Sequence, residues 1–141
     1  MSTAGIESWT FPVGSGVPEP VGPFAHVTAA QGLLFVTGQM PVDPATGTLR
    51  PGGITPQTDQ VLANLARVVD LAGSSLDRTV QVRAYLADFA LYDEFNTAYR
   101  AWFPDRLPSR TCIGVNGLAL GALVEIDLVV ARGPGEEGNA E

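Results

Sequence analysis

Hydrophobic residues in this chain repeat with two different periods, and the points where the period changes predict the order of strands and helices. Residues 33–39 are apolar on both faces, which is typical of a strand covered on both sides, and a short turn joins them to a strand at 24–28. Residues 79–86 alternate, and their apolar set is Val80, Val82, Ala84 and Leu86. The alternation predicts a half-buried strand.

Two segments carry apolar residues at the spacing of an α-helix. The first begins at Thr55, an N-cap before Pro56, and ends at Gly73, which suits a left-handed cap. Its apolar stripe is Val61, Leu62, Leu65, Val68, Val69 and Ala72. The second helix is capped by Asp88 and stops before Pro104. Its stripe predicts core side chains at Leu91, Phe95, Ala98 and Trp102.

Residues 108–115 predict a strand with an unusual face. Alternation places three side chains together on one face of this strand, namely Thr111, Ile113 and Val115. We expect that set to face the core. Arg110 then lies on the opposite face with Cys112 and Gly114, where the glycine leaves space for a small ligand.

The last predicted strand, 123–131, places two acids on a face that is otherwise apolar. Its fully apolar face is Val124, Ile126, Leu128 and Val130. Glu125 and Asp127 lie on the other face, where cover by a neighbouring chain demands a counter-charge or protonation. Arg110 is a candidate for that counter-charge.

These elements predict an α+β fold with two helices on one face of a mixed sheet. We expect residues 1–20 to form a loop-rich N-terminal extension, 21–132 a single domain and 133–141 a disordered acidic tail. The sheet face without helices keeps apolar side chains, which favours burial by identical subunits. They are Leu33, Phe35, Leu123 and Val129.

Composition narrows the function classes. A chain of 141 residues with 45% hydrophobic content suits one domain, and a net charge of −7 disfavours nucleic acid and anionic lipid as partners. One cysteine and one histidine exclude an internal disulfide and the usual four-ligand zinc site. Without a leader-like segment or a long apolar run, we expect a cytoplasmic protein with no membrane partner.

Arg110 is the strongest candidate for binding an anion. All eight basic residues are arginines, and Arg110 lies in mid-strand with a cysteine and a glycine following it on its own face. A guanidinium holds a carboxylate through two parallel hydrogen bonds. The alternative is a structural arginine paired with an acid at the edge of the core.

Five short segments together resemble the Rid family, the YjgF-type reactive-intermediate deaminases. They are residues 21–26 (VGPFAH), 35–41 (FVTGQMP), 96–99 (NTAY), 108–112 (PSRTC) and 124–126 (VEI). The resemblance implies a chorismate-mutase-like α+β fold, a homotrimer and active-site clefts between subunits. It also implies hydrolysis of 2-enamine and 2-imine carboxylates to 2-keto acids and ammonia, with no cofactor.

The resemblance also implies roles for individual residues. Arg110 matches the arginine that binds the substrate carboxylate, and Glu125 matches the acid near the reacting carbon and water. Backbone groups at Gly38 and Cys112 match those that hold the nitrogen end. Asn96 matches a position near the cleft, although an exposed helical asparagine looks the same in sequence.

The single histidine and cysteine leave further alternatives. Cys112 as a nucleophile requires a positioned base, and the only histidine, His26, lies far away in sequence. We expect His26 at the surface or at an interface. A ribonuclease activity, claimed for some relatives, conflicts with the net charge.

One position departs from the family pattern. Many of these deaminases have tyrosine where this chain has Phe24, so any hydrogen bond from that hydroxyl is lost. The more apolar wall favours a specialised or conjugated substrate. The alternative is a non-catalytic trimer that binds small carboxylates as a sensor or regulator.

Overall fold

The computed structural model of the chain describes residues 3–134. Most of the predicted acidic tail, from residue 135 onward, lies outside these residues. The strands are β1 Glu7–Trp9, β2 Val27–Ala30, β3 Leu33–Gln39, β4 Val42–Asp43, β5 Thr48–Leu49, β6 Thr79–Leu86, β7 Ser109–Gly114 and β8 Val124–Ala131. The helices are α1 Ile54–Leu71 and α2 Tyr92–Arg100.

Six strands form one sheet in the order β1-β2-β3-β8-β6-β7, and β4 pairs with β5 in a separate small hairpin. β6 and β7 are parallel, whereas the other neighbouring pairs of the large sheet are antiparallel. Both helices pack on one face, so the prediction of two helices on a mixed sheet is confirmed. None of the described helices combines the length and apolarity needed to span a bilayer.

The buried stripe and the C-terminal glycine predicted for α1 are confirmed, but its predicted N-cap is wrong. All six residues of the predicted α1 stripe are buried, and Gly73 has the left-handed φ of 84° expected of a cap. Thr55 is not the N-cap: the cap is Gly53, and the Thr55 hydroxyl donates to Glu94 Oε2 at 3.1 Å. Asp88 accepts from the Ala90 N–H at 3.0 Å and caps the short 3₁₀ turn before α2.

The predicted facing of β7 is wrong. Arg110 pairs in register with Val82, which is fully buried, so Arg110 faces the helices. Thr111 and Ile113 face away from them and are exposed, Ile113 by 46%. The reason is that β7 is an edge strand, where the helix layer ends and a polar group beside the helices reaches water. A second facing error, at Val80, comes from a register shift between Thr79 and Gln81 that turns Val80 outward.

The face without helices retains apolar side chains, as predicted. Phe35 pairs with Val129 on this face and is 45% exposed, and Leu33 lies two residues before it. Leu123 is an exception, since it precedes β8 and packs against the hydrophobic core.

Candidate active site

Arg110 lies against an aromatic surface of α2. Its guanidinium carbon is 4.7 Å from the ring centroid of Tyr99, 5.4 Å from that of Phe95 and 5.7 Å from that of Tyr92. These rings occur at positions i, i+3 and i+7, so they share one face of the helix. The geometry fits cation–π contacts, which fix the position of the guanidinium without neutralising its charge.

The hydrogen bonding of Arg110 differs from that of the other arginines. Within residues 3–134 its one hydrogen bond goes to the neutral Tyr92 hydroxyl, at 3.2 Å, and it forms no ion pair. The other seven donate to carboxylate or carbonyl oxygens. The reading of Arg110 as a structural arginine paired with an acid is therefore wrong for the described chain. Most of its N–H donors remain available for an anion.

Two buried oxygens on α2 lack a hydrogen-bond partner among the described residues: the Tyr99 hydroxyl and Asn96 Oδ1. Burial raises the pKa of Tyr99 to about 12, although the Arg110 charge acts in the opposite direction. Buried polar groups normally have partners, so these two oxygens mark places where a polar ligand or a neighbouring chain gains hydrogen bonds.

Cys112 follows Arg110 on the same face of β7 and is partly buried against the core. Burial raises the pKa of its thiol, and this effect exceeds the opposing influence of Arg110. The side chain is a neutral thiol at neutral pH, which gives no support to thiolate chemistry.

Glu125 lies on the opposite face of the sheet, beside Gly38. The register of β3 with β8 shifts between Val36 and Gln39, and this bulge brings Gly38 against the Glu125 carboxylate. A Cβ at Gly38 would collide with that carboxylate, so any larger residue there would displace the Glu125 side chain from its present position. Burial, and secondly the charge of Asp127, raise the pKa of Glu125.

Asp127, the second acid of β8, is already paired. It accepts from Arg83 Nε at 2.8 Å and from the Tyr85 hydroxyl at 2.8 Å. Arg83, not Arg110, is therefore its counter-charge in this chain. Glu125 makes no hydrogen bond to any described residue, so its carboxylate is the one on this face that is open to a ligand or water.

A cavity of about 460 Å³ opens beside Glu125. Phe24, Gly38 and Glu125 line it, together with the segment before β2. Phe24 is 41% exposed and lines this space. The lining contains no arginine.

His26 is buried beneath this segment, so the prediction of a surface or interface histidine is wrong. It is 1% exposed, its Nδ1 accepts from the Phe11 N–H at 2.9 Å, and Nε2 lies 2.9 Å from the Pro18 carbonyl oxygen. Since Nδ1 accepts, Nε2 carries the proton and donates. His26 thus ties the N-terminal segment to the sheet.

The structure separates the predicted site residues into two clusters. The Arg110 cluster contains Arg110 and Cys112 at the helix-covered face of the sheet edge, and Asn96 lies on α2 next in sequence to Phe95, whose ring packs on Arg110. The Glu125 cluster contains Glu125, Gly38 and Phe24 on the other face, at the cavity. One copy of the chain therefore does not bring the predicted carboxylate-binding and proton-accepting groups together.

Sequence reasoning missed three residues that shape these clusters. Tyr92 and Tyr99 carry a signal, because their spacing with Phe95 places all three rings on one helix face. His26 has no local signal, since its partners Phe11 and Pro18 lie fifteen and eight residues away. Among residues 3–134, no three acidic, histidine or cysteine side chains converge as a metal site requires.

Comparison with known proteins gives a family. The protein-family model described as endoribonuclease L-PSP matches residues 15–132 of this chain. A RutC family protein from Sulfurisphaera tokodaii is 36% identical over 116 residues, covering 82% of this chain and 93% of that protein. The 2-iminobutanoate/2-iminopropanoate deaminase of Mus musculus is 31% identical over 117 residues, covering 83% and 87% respectively. The crystal structure of YEO7_yeast superposes with a TM-score of 0.84 at 31% identity, over 90% of this chain and 98% of that one. The chain belongs to the endoribonuclease L-PSP family, which includes the Rid, YjgF and RutC proteins.

Proposed function

We propose that the protein hydrolyses 2-imine and 2-enamine carboxylates to 2-keto acids and ammonia without a cofactor. The observation that carries this proposal is the Arg110 guanidinium, held by three aromatic rings and matched by no described carboxylate. Such a group is suited to a substrate carboxylate. Family relatives named 2-iminobutanoate/2-iminopropanoate deaminase, at 30–31% identity, support the same reaction. A net charge of −7 argues against RNA as the substrate.

The proposed enzyme is a homotrimer in which each site combines two subunits. The Arg110 cluster of one copy faces the Glu125 cluster of the next, because the two clusters of one copy lie on opposite sides of its sheet. The exposed apolar residues Phe35 and Ile113 on the face without helices support burial by a second copy. The active-site cleft then lies between subunits.

The mechanism assigns one task to each group. Arg110 binds the carboxylate, and backbone groups at Gly38 and Cys112 orient the imine nitrogen. Glu125 accepts a proton from water as the water oxygen bonds to the C=N carbon. With the substrate nitrogen protonated as an iminium, this addition gives a neutral carbinolamine. Glu125 then returns its proton to the nitrogen, which leaves as ammonia when the C–N bond breaks and the C=O bond forms, and the hydroxyl proton is released to water. The raised pKa of Glu125 brings this base closer to the pH at which it works.

Phe24 favours a second candidate, a trimer that binds small carboxylates without turnover. Its ring supplies no hydroxyl to a substrate or water, which a general acid or base at this position requires. Both candidates bind through Arg110, so only turnover separates them. Imines generated in situ by an amino-acid oxidase should release ammonia and keto acid faster with the protein than with the oxidase alone. Equal rates, with carboxylate binding retained, would favour the binding protein.

The Phe24→Tyr variant tests whether the missing hydroxyl weakens or specialises the site. A gain toward small aliphatic imines, with a loss toward larger ones, indicates specialisation. A gain toward all imines indicates a weakened site.

A further inference from the structure

We infer that the site selects 2-imino acids with bulky apolar side chains, which the cavity beside Glu125 accommodates. The inference rests on the proposed deaminase function and adds the substrate class. The cavity volume of about 460 Å³ lies within the range of sites for small organic molecules. The methyl or ethyl group of a small imino acid leaves most of this space to water, whereas an isobutyl or benzyl group fills more of it.

Several of the side chains that line the cavity are both apolar and exposed. Ten large hydrophobic side chains of the described chain are exposed, and four of them line this one cavity. They are Val13 at 77%, Val21 at 80%, Phe24 at 41% and Leu120 at 64% exposure. Single exposed apolar residues are ordinary, but their concentration around a cavity marks a surface that gains from covering by an apolar group.

The charge of the cavity defines which part of the substrate enters it. The charged side chains in the lining are Glu19 and Glu125, and no arginine is present. A substrate carboxylate is therefore repelled from the cavity and left to Arg110. An anionic side chain is excluded by the same argument, so the cavity selects a neutral apolar group.

Leu120 lines the cavity and has a backbone conformation that leucine seldom adopts. Its φ of 63° and ψ of 8° lie in the left-handed region, inside the turn Ala119–Gly121 between β7 and β8. Strain of this kind persists where the surrounding structure imposes it, and it concentrates at functional sites. Here an exposed leucine is kept in the cavity lining although a glycine would relieve the strain.

The N-terminal segment that contributes Val13 to the cavity lining is held by hydrogen bonds. His26 holds the segment at Phe11 and Pro18, as described above. Arg67 on α1 holds it between these points, since its Nε donates to the Ser15 carbonyl oxygen at 2.9 Å. This segment is thus pre-organised, and His26 is a positioning residue for substrate selection.

The test compares imines produced in situ by one amino-acid oxidase from leucine, phenylalanine, alanine and 2-aminobutyrate, at matched oxidase flux. We expect kcat/KM for the two bulky imines to exceed that for the two small ones by about 10-fold, the effect of one to two buried methylene groups. Leu120→Ala should lower this ratio about fivefold. Leu107→Ala is the matched control, because Leu107 is similarly exposed, at 58%, and lies outside the cavity lining, so the ratio should not change.

The N-terminal segment is tested separately with Arg67→Ala, which removes one tether and leaves the buried His26 in place. We expect a lower bulky-to-small ratio in a protein that melts at the wild-type temperature within a few degrees. Turnover of small imines equal to or faster than that of bulky ones would overturn the inference and leave the deaminase function intact. A ratio that Leu107→Ala changes as much as Leu120→Ala would also overturn it. No turnover of any imine would overturn the deaminase function, and the inference with it.

Discussion

The Arg110 and Glu125 clusters carry opposite chemistry on opposite faces of one sheet. At Arg110 a permanent cation lies on aromatic rings with one weak hydrogen bond to a neutral hydroxyl. At Glu125 a carboxyl is pressed against Gly38, and burial and Asp127 make its charged form less favourable. The Arg110 cluster holds a cation without an anionic partner among the described residues, and the Glu125 cluster holds a carboxyl whose charged form is unfavourable. Each is therefore electrostatically incomplete in a single copy, and in the proposed trimer the two would complement each other across an interface.

The largest expected effect comes from Glu125→Gln. The amide keeps the shape of the side chain but cannot accept a proton, so kcat should fall by about 10²–10⁴-fold while carboxylate binding persists. Steady-state kinetics and a binding isotherm with a non-reactive carboxylate check this. A kcat within twofold of wild type would show that Glu125 is not the base.

Arg110→Lys should have the next largest effect. Lysine keeps the charge but loses the planar pair of donors, so kcat/KM should fall about 100-fold, with much of the loss in KM. Arg83→Lys is the matched control, because Arg83 is also a mid-strand arginine but serves Asp127. If both variants kept wild-type kinetics, the carboxylate would have to bind elsewhere.

The two clusters also show which features of the fold and site the sequence predicts and which it does not. The pattern of hydrophobic positions predicts the helix stripe from Val61 to Ala72 and the apolar face without helices, and both are confirmed. Arg110 and Glu125 are candidates from pattern and resemblance. The side of the sheet on which Arg110 lies was predicted wrongly. Alternation in a six-residue strand defines two faces, but it does not tell which face is covered by the chain's own helices.

The remaining errors have the same physical origin, since each depends on contacts distant in sequence. Thr55 has the side chain of an N-cap, but Glu94 on the other helix accepts its hydrogen bond. Val80 fits the alternation, but a bulge against β8 turns it outward. The sequence around His26 predicts a surface residue, but the side chain is buried and bonded to backbone groups of Phe11 and Pro18. At each position the type of the side chain predicts one structure, and contacts with residues distant in sequence produce another.

Asp127→Asn tests the electrostatic part of the Glu125 cluster with a smaller effect. The Asp127 charge helps to raise the pKa of Glu125, so its removal lowers that pKa. A base must be deprotonated to act, and the acidic limb of the kcat/KM profile should therefore move to lower pH while kcat at neutral pH is kept. An unmoved limb would mean that another group controls it.

The smallest effect concerns stability. The folded pKa of Glu125 is raised above the ordinary 4.5, so folding carries a penalty above the folded pKa that disappears below the unfolded one. Glu125→Gln removes this penalty and should stabilise the protein near neutral pH by less than roughly 1 kcal/mol, because the carboxyl is half exposed. The difference between variant and wild type should vanish below about pH 4. Chemical denaturation at both pH values measures it, and a variant less stable than wild type at pH 7 would contradict the assignment.

The most direct test of a site shared between subunits is complementation between two inactive variants. Arg110→Lys and Glu125→Gln chains are co-expressed with different tags, and mixed oligomers are isolated through both tags. If each site takes Arg110 from one copy and Glu125 from its neighbour, every mixed trimer has one intact site in three, and about a third of the wild-type deaminase activity should return. Oligomers of the wild-type chain, purified in the same way, are the control and should be fully active. If they are active but the mixed oligomers are no more active than the two variants alone, the complete site lies within a single chain and the account is contradicted.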